Sequence, residues 1–330
     1  MGWKNITRPM PNVPLAPVPL PGPGAARNGA EIVRQLTGLS RSSMSGDRAT
    51  KLKLVKVIEL EGELWEPEGI VRLASGDRFW VSAGEYTVPT EKYPDDKWID
   101  GTDRSAGAGF AHFVVFDGRG RRVGDWVASK EGELEYHNGG IDFDGRHVWA
   151  TLAQYRPNST ASVVRVDPVS MEMKRVFKVA DHQGGIVHDV HTGTLITLGW
   201  GGRIARALLG KRGEADYDEE FDEPQTTIVN PSHWIDYQDC KSLGTVDGRH
   251  LMLCSGIAML APGVEVGGLA IVDVGGMFPL WELPFMERTG ASLLMTKNPM
   301  DVAVIGGRVR LYFAPEEGRS RIFIYEVCEG

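Results

Sequence analysis

One pattern is written twice in this chain, and it restricts the fold more than any other feature. Tyr136-His137-Asn138-Gly139-Gly140-Ile141-Asp142-Phe143-Asp144 returns as Asp181-His182-Gln183-Gly184-Gly185-Ile186-Val187-His188-Asp189. Each copy runs into a tight turn and a strand-like stretch, His147 to Leu152 in the first and Thr194 to Leu198 in the second. A period of about 45 residues, made of short strands and Gly-rich turns, is the signature of a β-propeller blade.

Extending the pattern in both directions predicts an all-β chain, a β-propeller of five blades. A sixth sheet within residues 205–235 is the alternative count. Residues 1–50 read as a Pro/Gly-rich arm with a short helix over Ala30 to Gly38, followed by a loop over Ser40 to Asp47. Residues 51–330 read as a single propeller domain. Its blades span about Glu66 to Ser129, Tyr136 to Ala180, Asp181 to Asn230, Asp236 to Met286 and Lys297 to Val327. The last blade lacks a fourth strand. Leu52 to Glu61 alternates as a half-buried strand does and has no partner nearby, so it is expected to complete that blade and close the ring. Residues 87–109 interrupt the first blade with an insertion carrying Tyr93 and Trp98. Its length suits a lid over a binding mouth. The acidic run Glu214 to Glu220 reads as a solvated loop.

A formal charge of −8 argues against a nucleic-acid partner, which needs a concentrated basic surface. The cluster Gly118-Arg119-Gly120-Arg121-Arg122 reads as a turn between strands. Cys240, Cys254 and Cys328 show neither zinc spacing nor an even-numbered framework, and the first two sit in apolar strands as buried structural thiols. No apolar run reaches the roughly 18 residues of a membrane span. The N-terminus shows no signal-peptide core, and Ile6 stands where a myristoylation signal wants Ser or Thr. A soluble cytoplasmic protein is expected, of undetermined oligomeric state. The sequons at Asn5 and Asn158 would matter only outside the cell.

Propeller inner strands converge on a central channel, so turns that enter them ring one mouth. Aligning the blade starts places Glu68, His137, His182, Gln238, Asp239 and Lys297 there, among glycines that let the backbones crowd. The second strands bring Tyr86, Gln154, Tyr155 and Trp200 to the same end. His137, His182, Glu68 and Gln238 are the catalytic candidates. Tyr86, Trp98, Gln154, Tyr155, Trp200, Asp239 and Lys297 are the substrate-binding candidates. The bland readings stand beside these: the two histidines equally fit hydrogen bonds that brace neighbouring turns, and the run Asp236 to Asp239 equally fits a strand entry. His182, His188 and His191 share metal-like spacing but fall in strand and turn positions that point apart. Glu68, Asn138, Asp239 and Asp301 offer hard oxygen ligands for Ca²⁺, yet the axial set is mixed with His and Lys, so no metal or other cofactor is assigned. There is no Gly-x-Ser-x-Gly elbow and no Walker loop. Gly199-Trp200-Gly201-Gly202 reads as crowded strand ends.

The segments Glu66 to Leu73, Val81 to Tyr86, Tyr136 to Asp144, Gln154 to Ser159 and Val179 to Asp189 resemble a family of fungal and bacterial proteins. That family is catalogued mainly as a domain of unknown function with a propeller-like fold, and the likeness covers about residues 52–327. The chain is also similar to fungal hetero-Diels–Alder enzymes of tropolone–sesquiterpene biosynthesis. That resemblance implies a cofactor-free pericyclase that dehydrates a precursor to a tropolone quinone methide and guides its cycloaddition to a sesquiterpene alkene, with an apolar small molecule as partner. None of those enzymes' catalytic residues is carried over to a position in this chain. Two other classes remain open: a Ca²⁺-dependent lactonase or esterase, and a non-catalytic propeller that binds a ligand or protein.

Overall fold

The computed structural model describes residues 2–3, 14–16, 18–45, 51–73, 77–209, 221–231 and 234–328. Among them, five antiparallel sheets form the five blades of a propeller. From the axis outward, the first blade is β3 (Glu66–Leu73), β4 (Arg78–Val88), β5 (Ala108–Asp117) and β6 (Arg122–Val127), with β1 (Gly2–Trp3) added at its rim. In the second, β7 (His137–Asn138) and β8 (Asp142–Phe143) share the inner position against β9 (Val148–Ala153), followed by β10 (Ala161–Val166) and β11 (Met173–Val179). The third is β12 (Gly185–Asp189), β13 (Thr194–Leu198), β14 (Ile204–Leu209) and β15 (Thr226–Val229). Among the described residues, 204–209 and 226–229 therefore finish the third blade and no sixth sheet is built. The fourth is β16 (Asp236–Val246), β17 (Arg249–Ala261), β18 (Val264–Asp273) and β19 (Phe278–Pro284). The fifth is β20 (Met300–Ile305), β21 (Arg308–Phe313) and β22 (Arg321–Cys328), completed by β2 (Lys51–Glu59).

The strand from the N-terminal side closes the ring as expected: β2 pairs antiparallel with β22 from Lys51↔Cys328 to Glu59↔Arg321. Hydrophobic packing then holds blade to blade. Phe79, Phe116 and Tyr312 fill the seam between the fifth and first blades. Trp80, Phe113 and Phe143 fill the next, and Trp149, Phe177 and Ile186 the one after. Fully burying one such side chain is worth about 1.5–3 kcal/mol.

The arm differs from a free extension. Trp80 Nε1 donates to the Leu15 carbonyl at 2.9 Å, and Leu15, Ala16, Leu20 and Ala26 join the seam between the first and second blades. Its helix, α1 (Gly29–Ser45), runs past the expected end at Gly38. Asn28 caps it by accepting the Glu31 N–H at 3.2 Å. Ile32, Leu36 and Leu39 bury one face against Leu243, Val302 and Val309. A mid-helix glycine costs about 0.5–1 kcal/mol, and burying Leu39 one residue later outweighs it. The first part of the expected Ser40–Asp47 loop is therefore helix. Its end, the run Glu214–Glu220 and Asn5 lie outside the described residues.

Cys240 and Cys254 face each other across β16 and β17 and are joined as a disulfide, with Cα atoms 4.1 Å apart. Both are buried as the sequence suggested, but they are not thiols. The reason is register: bulges at Tyr237/Asp239 and Ser242/Gly244 bring these two residues into direct opposition. Among the described residues, no helix is long and apolar enough to cross a membrane.

Candidate active site

The axis is filled in three levels. At the far end, Arg27 enters from the arm. Its guanidinium donates to Asp142 Oδ1 at 2.7 Å and to Asp301 Oδ1 at 2.8 Å. Asp301 Oδ2 in turn accepts the Arg72 N–H at 2.5 Å, and Asp142 Oδ2 the Ser242 N–H at 3.2 Å. One level up, Lys241 pairs with Asp239 and donates to the Ile141 carbonyl at 2.5 Å. Asp239 Oδ2 accepts the N–H groups of Ile70 and Met300 at 3.3 and 3.1 Å. Burial pushes the Asp239 carboxyl up to about 7, against the pull of Lys241. Each level ties together inner strands of the first, second, fourth and fifth blades.

Glycine makes this crowding feasible. A Cβ on Gly139 would stand 2.5 Å from the Gly184 carbonyl oxygen, inside any real contact.

The third level is a cavity of about 270 Å³ at the open mouth, lined among others by Glu66, Glu68, His137, Tyr155, His182, Trp200, Gln238, Lys297 and Asn298. Both carboxyls come from β3. Pro67 pairs with Ala83 and Gly69 with Ser82, so Glu68 is the extra residue of a β-bulge, and Glu66 and Glu68 reach the same cavity. Glu68 is 8% exposed. Burial first, and the neighbouring Glu66 second, hold its carboxyl well above the usual range. Burial likewise raises Glu66, against the pull of the nearby Tyr86 hydroxyl. Both acids are thereby biased towards the protonated form.

The imidazoles are biased the other way. His137 and His182 are 3% and 4% exposed, with ring centroids 5.4 Å apart. Burial, then the facing His182, depresses His137 well below the ordinary histidine value, and burial takes His182 down to about 4. His182 Nδ1 donates to the Gln154 carbonyl at 2.8 Å. A neutral ring with its proton on Nδ1 carries a lone pair on Nε2. His137 Nδ1 lies 2.9 Å from the Tyr86 hydroxyl.

Aromatic rings make one wall. Tyr86 stacks on Tyr155 at 5.3 Å, Tyr155 meets Trp200 at 5.5 Å, and Trp200 meets His182 edge-on at 4.8 Å. Opposite, Lys297 is held by Glu317 at 2.8 Å; burial opposes its charge, but that carboxylate keeps its pKa raised. Asn298 is 4% exposed, and its Nδ2 has no partner among the described residues.

The mouth gathers Glu68, His137, His182, Gln238, Tyr155, Trp200 and Lys297, with Tyr86 one hydrogen bond behind His137. Three candidates take other roles. Trp98 is 58% exposed on the insertion and does not line the cavity, because the hairpin formed by the Lys92↔Arg104 and Ile99↔Thr102 bridges turns it outward. The insertion delivers Arg104 instead, whose guanidinium sits 4.6 Å from the Trp200 ring centre. Gln154 acts through its carbonyl; its side-chain amide is bound to Thr160 and Arg156. Asp239 lies fully buried beneath the cavity, engaged by Lys241.

The Ca²⁺ set is likewise dispersed. Asp301 serves Arg27, Asp239 serves Lys241, and Asn138 donates to the His112 carbonyl at 2.7 Å. Among the described residues, no three His, Cys, Asp or Glu side chains are grouped to hold a metal. His188 pairs with Asp144 at 2.8 Å, away from His182, as its strand position implied. Sequence reasoning missed Glu66, Asn298 and Arg104 at the mouth, and Arg27 and Lys241 on the axis. Only Glu66 left a trace, as the first carboxylate of a Glu-Pro-Glu-Gly strand entry.

The model of a family of unknown function, DUF6454, matches residues 44–329, and the chain belongs to that family. No curated protein matches it. Solved structures with a similar chain path include a glucose dehydrogenase, at 12% identity over 83% of this chain and 86% of the other, with a TM-score of 0.41. A luciferin-regenerating enzyme follows at 9% identity, 82% and 94% coverage and a TM-score of 0.43. The tail fibre of Staphylococcus aureus phage P68 shows 10% identity and a TM-score of 0.45, with 84% of this chain covering 52% of that one. Two enzymes and a fibre at such distances say nothing about this chain's chemistry.

Proposed function

We propose that this DUF6454 member is an enzyme that moves protons on one small, conjugated molecule bound in the mouth, with loss of water as the reaction the site suits best. The observation that carries the reading is the opposed bias of buried groups in a single cavity: carboxyls pushed up and imidazoles pushed down. Groups whose environments drive their pKa values apart are how one site runs acid and base chemistry together. Glu68 donates a proton to a departing hydroxyl, and His182 Nε2 accepts one from the substrate. Positioned proton transfer of this kind contributes about 10²–10⁴-fold. The ring wall of Tyr155 and Trp200 takes a flat face of the ligand. Asn298 Nδ2 and Lys297 take an oxygen, since an unsatisfied buried donor costs about 1–3 kcal/mol until it finds an acceptor. The ligand is therefore an apolar body that carries at least one oxygen for these donors.

The hetero-Diels–Alder reaction implied by the resemblance divides at this point. Its dehydration half matches the acid and base of the mouth. Its cycloaddition half must bring in a second, bulky reactant. At about 270 Å³ the cavity falls just below the roughly 300–1,000 Å³ of sites that enclose drug-sized ligands. It holds one reactant, and the alkene would have to approach across the open mouth. Incubating the protein with tropolone carbinols, with and without a humulene-type alkene, separates the halves by mass spectrometry. Water loss that falls about 10²-fold or more in Glu68→Gln and His182→Ala is the expected result. Wild-type rates in both variants would sink the reading, whatever becomes of the cycloadduct.

A further inference from the structure

A cavity of about 420 Å³ lies between the third and fourth blades, away from the mouth. Asp189 from the end of β12 and His250 from the start of β17 line it, beside an apolar wall of Ile196, Ala205, Ala207 and Ile228. Its neighbour Ser242 sits at the Arg27 end of the axis, where the guanidinium donates to the Ser242 carbonyl at 3.4 Å. Ser242 pairs with Met252 across β16 and β17, which makes His250 its diagonal neighbour on the same face. The Ser242 hydroxyl lies 3.0 Å from His250 Nε2, and His250 Nδ1 lies 2.7 Å from Asp189 Oδ1. Hydroxyl, imidazole and carboxylate follow one another in the order that an activated serine nucleophile requires.

We propose that Ser242, His250 and Asp189 form a second reaction centre, which hydrolyses esters of compact apolar acids through an acyl-serine. Ser242 Oγ bonds to the ester carbonyl carbon while its proton passes to His250 Nε2. The carbon–oxygen bond to the alcohol then breaks, and the alcohol leaves with that proton. Water next gives a proton to His250 Nε2 as its oxygen attacks the acyl-serine. Ser242 takes the proton back as the acid departs. Ester and water become acid and alcohol, and the protein ends as it began. Asp189 is the positioning residue: it turns Nδ1–H inward and balances the imidazolium while it exists.

The surroundings suit this chemistry. The Ser242 N–H is held by Asp142 at 3.2 Å and its carbonyl by Arg27, so the backbone that carries the nucleophile is tied to the axis. Two residues on, Gly244 adopts a φ of 70° and aims its N–H at Ser242 Oγ from 3.3 Å. That places a backbone donor beside the carbonyl oxygen as it gains charge. A Cβ on Gly244 would meet nothing within 4 Å, which leaves room for the reacting group. Asp189 is itself fixed by the His191 N–H at 2.9 Å and the Thr192 hydroxyl at 2.7 Å. Its approach to His250 Nδ1 is close but bent out of hydrogen-bond alignment, as catalytic pairs often are before substrate tightens them. The cavity falls within the roughly 300–1,000 Å³ of small-molecule sites.

No group of the mouth takes part, so a test without any mouth substrate is independent of the dehydration assay. The full chain is treated with a fluorophosphonate, and the modified peptide is located by mass spectrometry. Ser242 should carry the phosphonyl group, with fluoride released. Nitrophenyl butyrate should be hydrolysed, and Ser242→Ala should lose both reactions at an unchanged melting temperature. His250→Gln should slow labelling by about 10²-fold or more. Asp189→Asn should slow it while Ser242 remains the residue modified, and Asp189→Glu should recover part of the rate. An unmodified Ser242 in the folded wild type overturns the proposal. So does labelling at the same rate in His250→Gln, or ester cleavage that persists in Ser242→Ala.

Discussion

At the scale of single residues, the site is made by taking ionisable groups out of water. His182 shows what that costs. Its native pKa is about 4 against 6.5 for the free side chain, because burial penalises the charged ring. As pH falls, the unfolded chain therefore takes up this proton first. The histidine's contribution to stability is whole above about pH 6.5 and is lost towards pH 4, by about 3 kcal/mol in all. Glu68 works in the opposite sense: its raised native pKa means that the unfolded chain loses its proton first, so stability declines as pH rises above about 4.3. Urea unfolding of His182→Gln between pH 4.5 and 7 should accordingly show a shallower acid loss than the wild type. Identical slopes would mean that His182 is not held neutral by burial.

At the scale of elements, small departures from regular strands decide what the residues can do. The bulge in β3 puts Glu66 and Glu68 into one cavity. The two bulges in β16 set Cys240 opposite Cys254. Sequence separation of 14 residues gave no hint of that bond, because cysteine spacing carries no information about cross-strand register. Closing a loop of about 15 residues is worth about 3 kcal/mol in the chain-entropy account. The double variant Cys240→Ala/Cys254→Ala should lose about that much in denaturant midpoint experiments, and a reducing agent should leave the variant's own midpoint unchanged. A variant as stable as the oxidised wild type would assign the bond no stabilising role.

At the scale of the whole molecule, the ring of blades leaves a channel, and the chain fills it from one end. Arg27 closes the far end between Asp142 and Asp301, the Lys241–Asp239 pair occupies the middle, and only the mouth stays open. Removing one partner of a buried charge cluster strands the others, at about 3–5 kcal/mol. Arg27→Ala should therefore lower thermal stability far more than Glu68→Gln, and Arg27→Ala/Asp301→Asn should recover part of the loss. Equal melting temperatures for Arg27→Ala and the wild type would show that the arm does not hold the axis.

The repeated Tyr136–Asp144 and Asp181–Asp189 patterns pointed to blades, to five of them with six as the alternative, and to the closing role of residues 52–61, because period-2 burial and glycine-bearing turns are local properties of a sequence. The same local logic placed His137, His182, Glu68, Gln238, Tyr155, Trp200 and Lys297 at one mouth, since entry turns of successive blades must meet there. Only the tertiary structure decided what those residues face. Arg27, 115 residues from Asp142 and 274 from Asp301 along the chain, follows no periodicity that a sequence displays. Nor does any pattern reveal that Asp239 serves a lysine, that Trp98 turns outward, or that Asn298 Nδ2 finds no partner among the described residues. Burial, and with it the charge state of every group at the mouth, is set by what the other blades bring within reach.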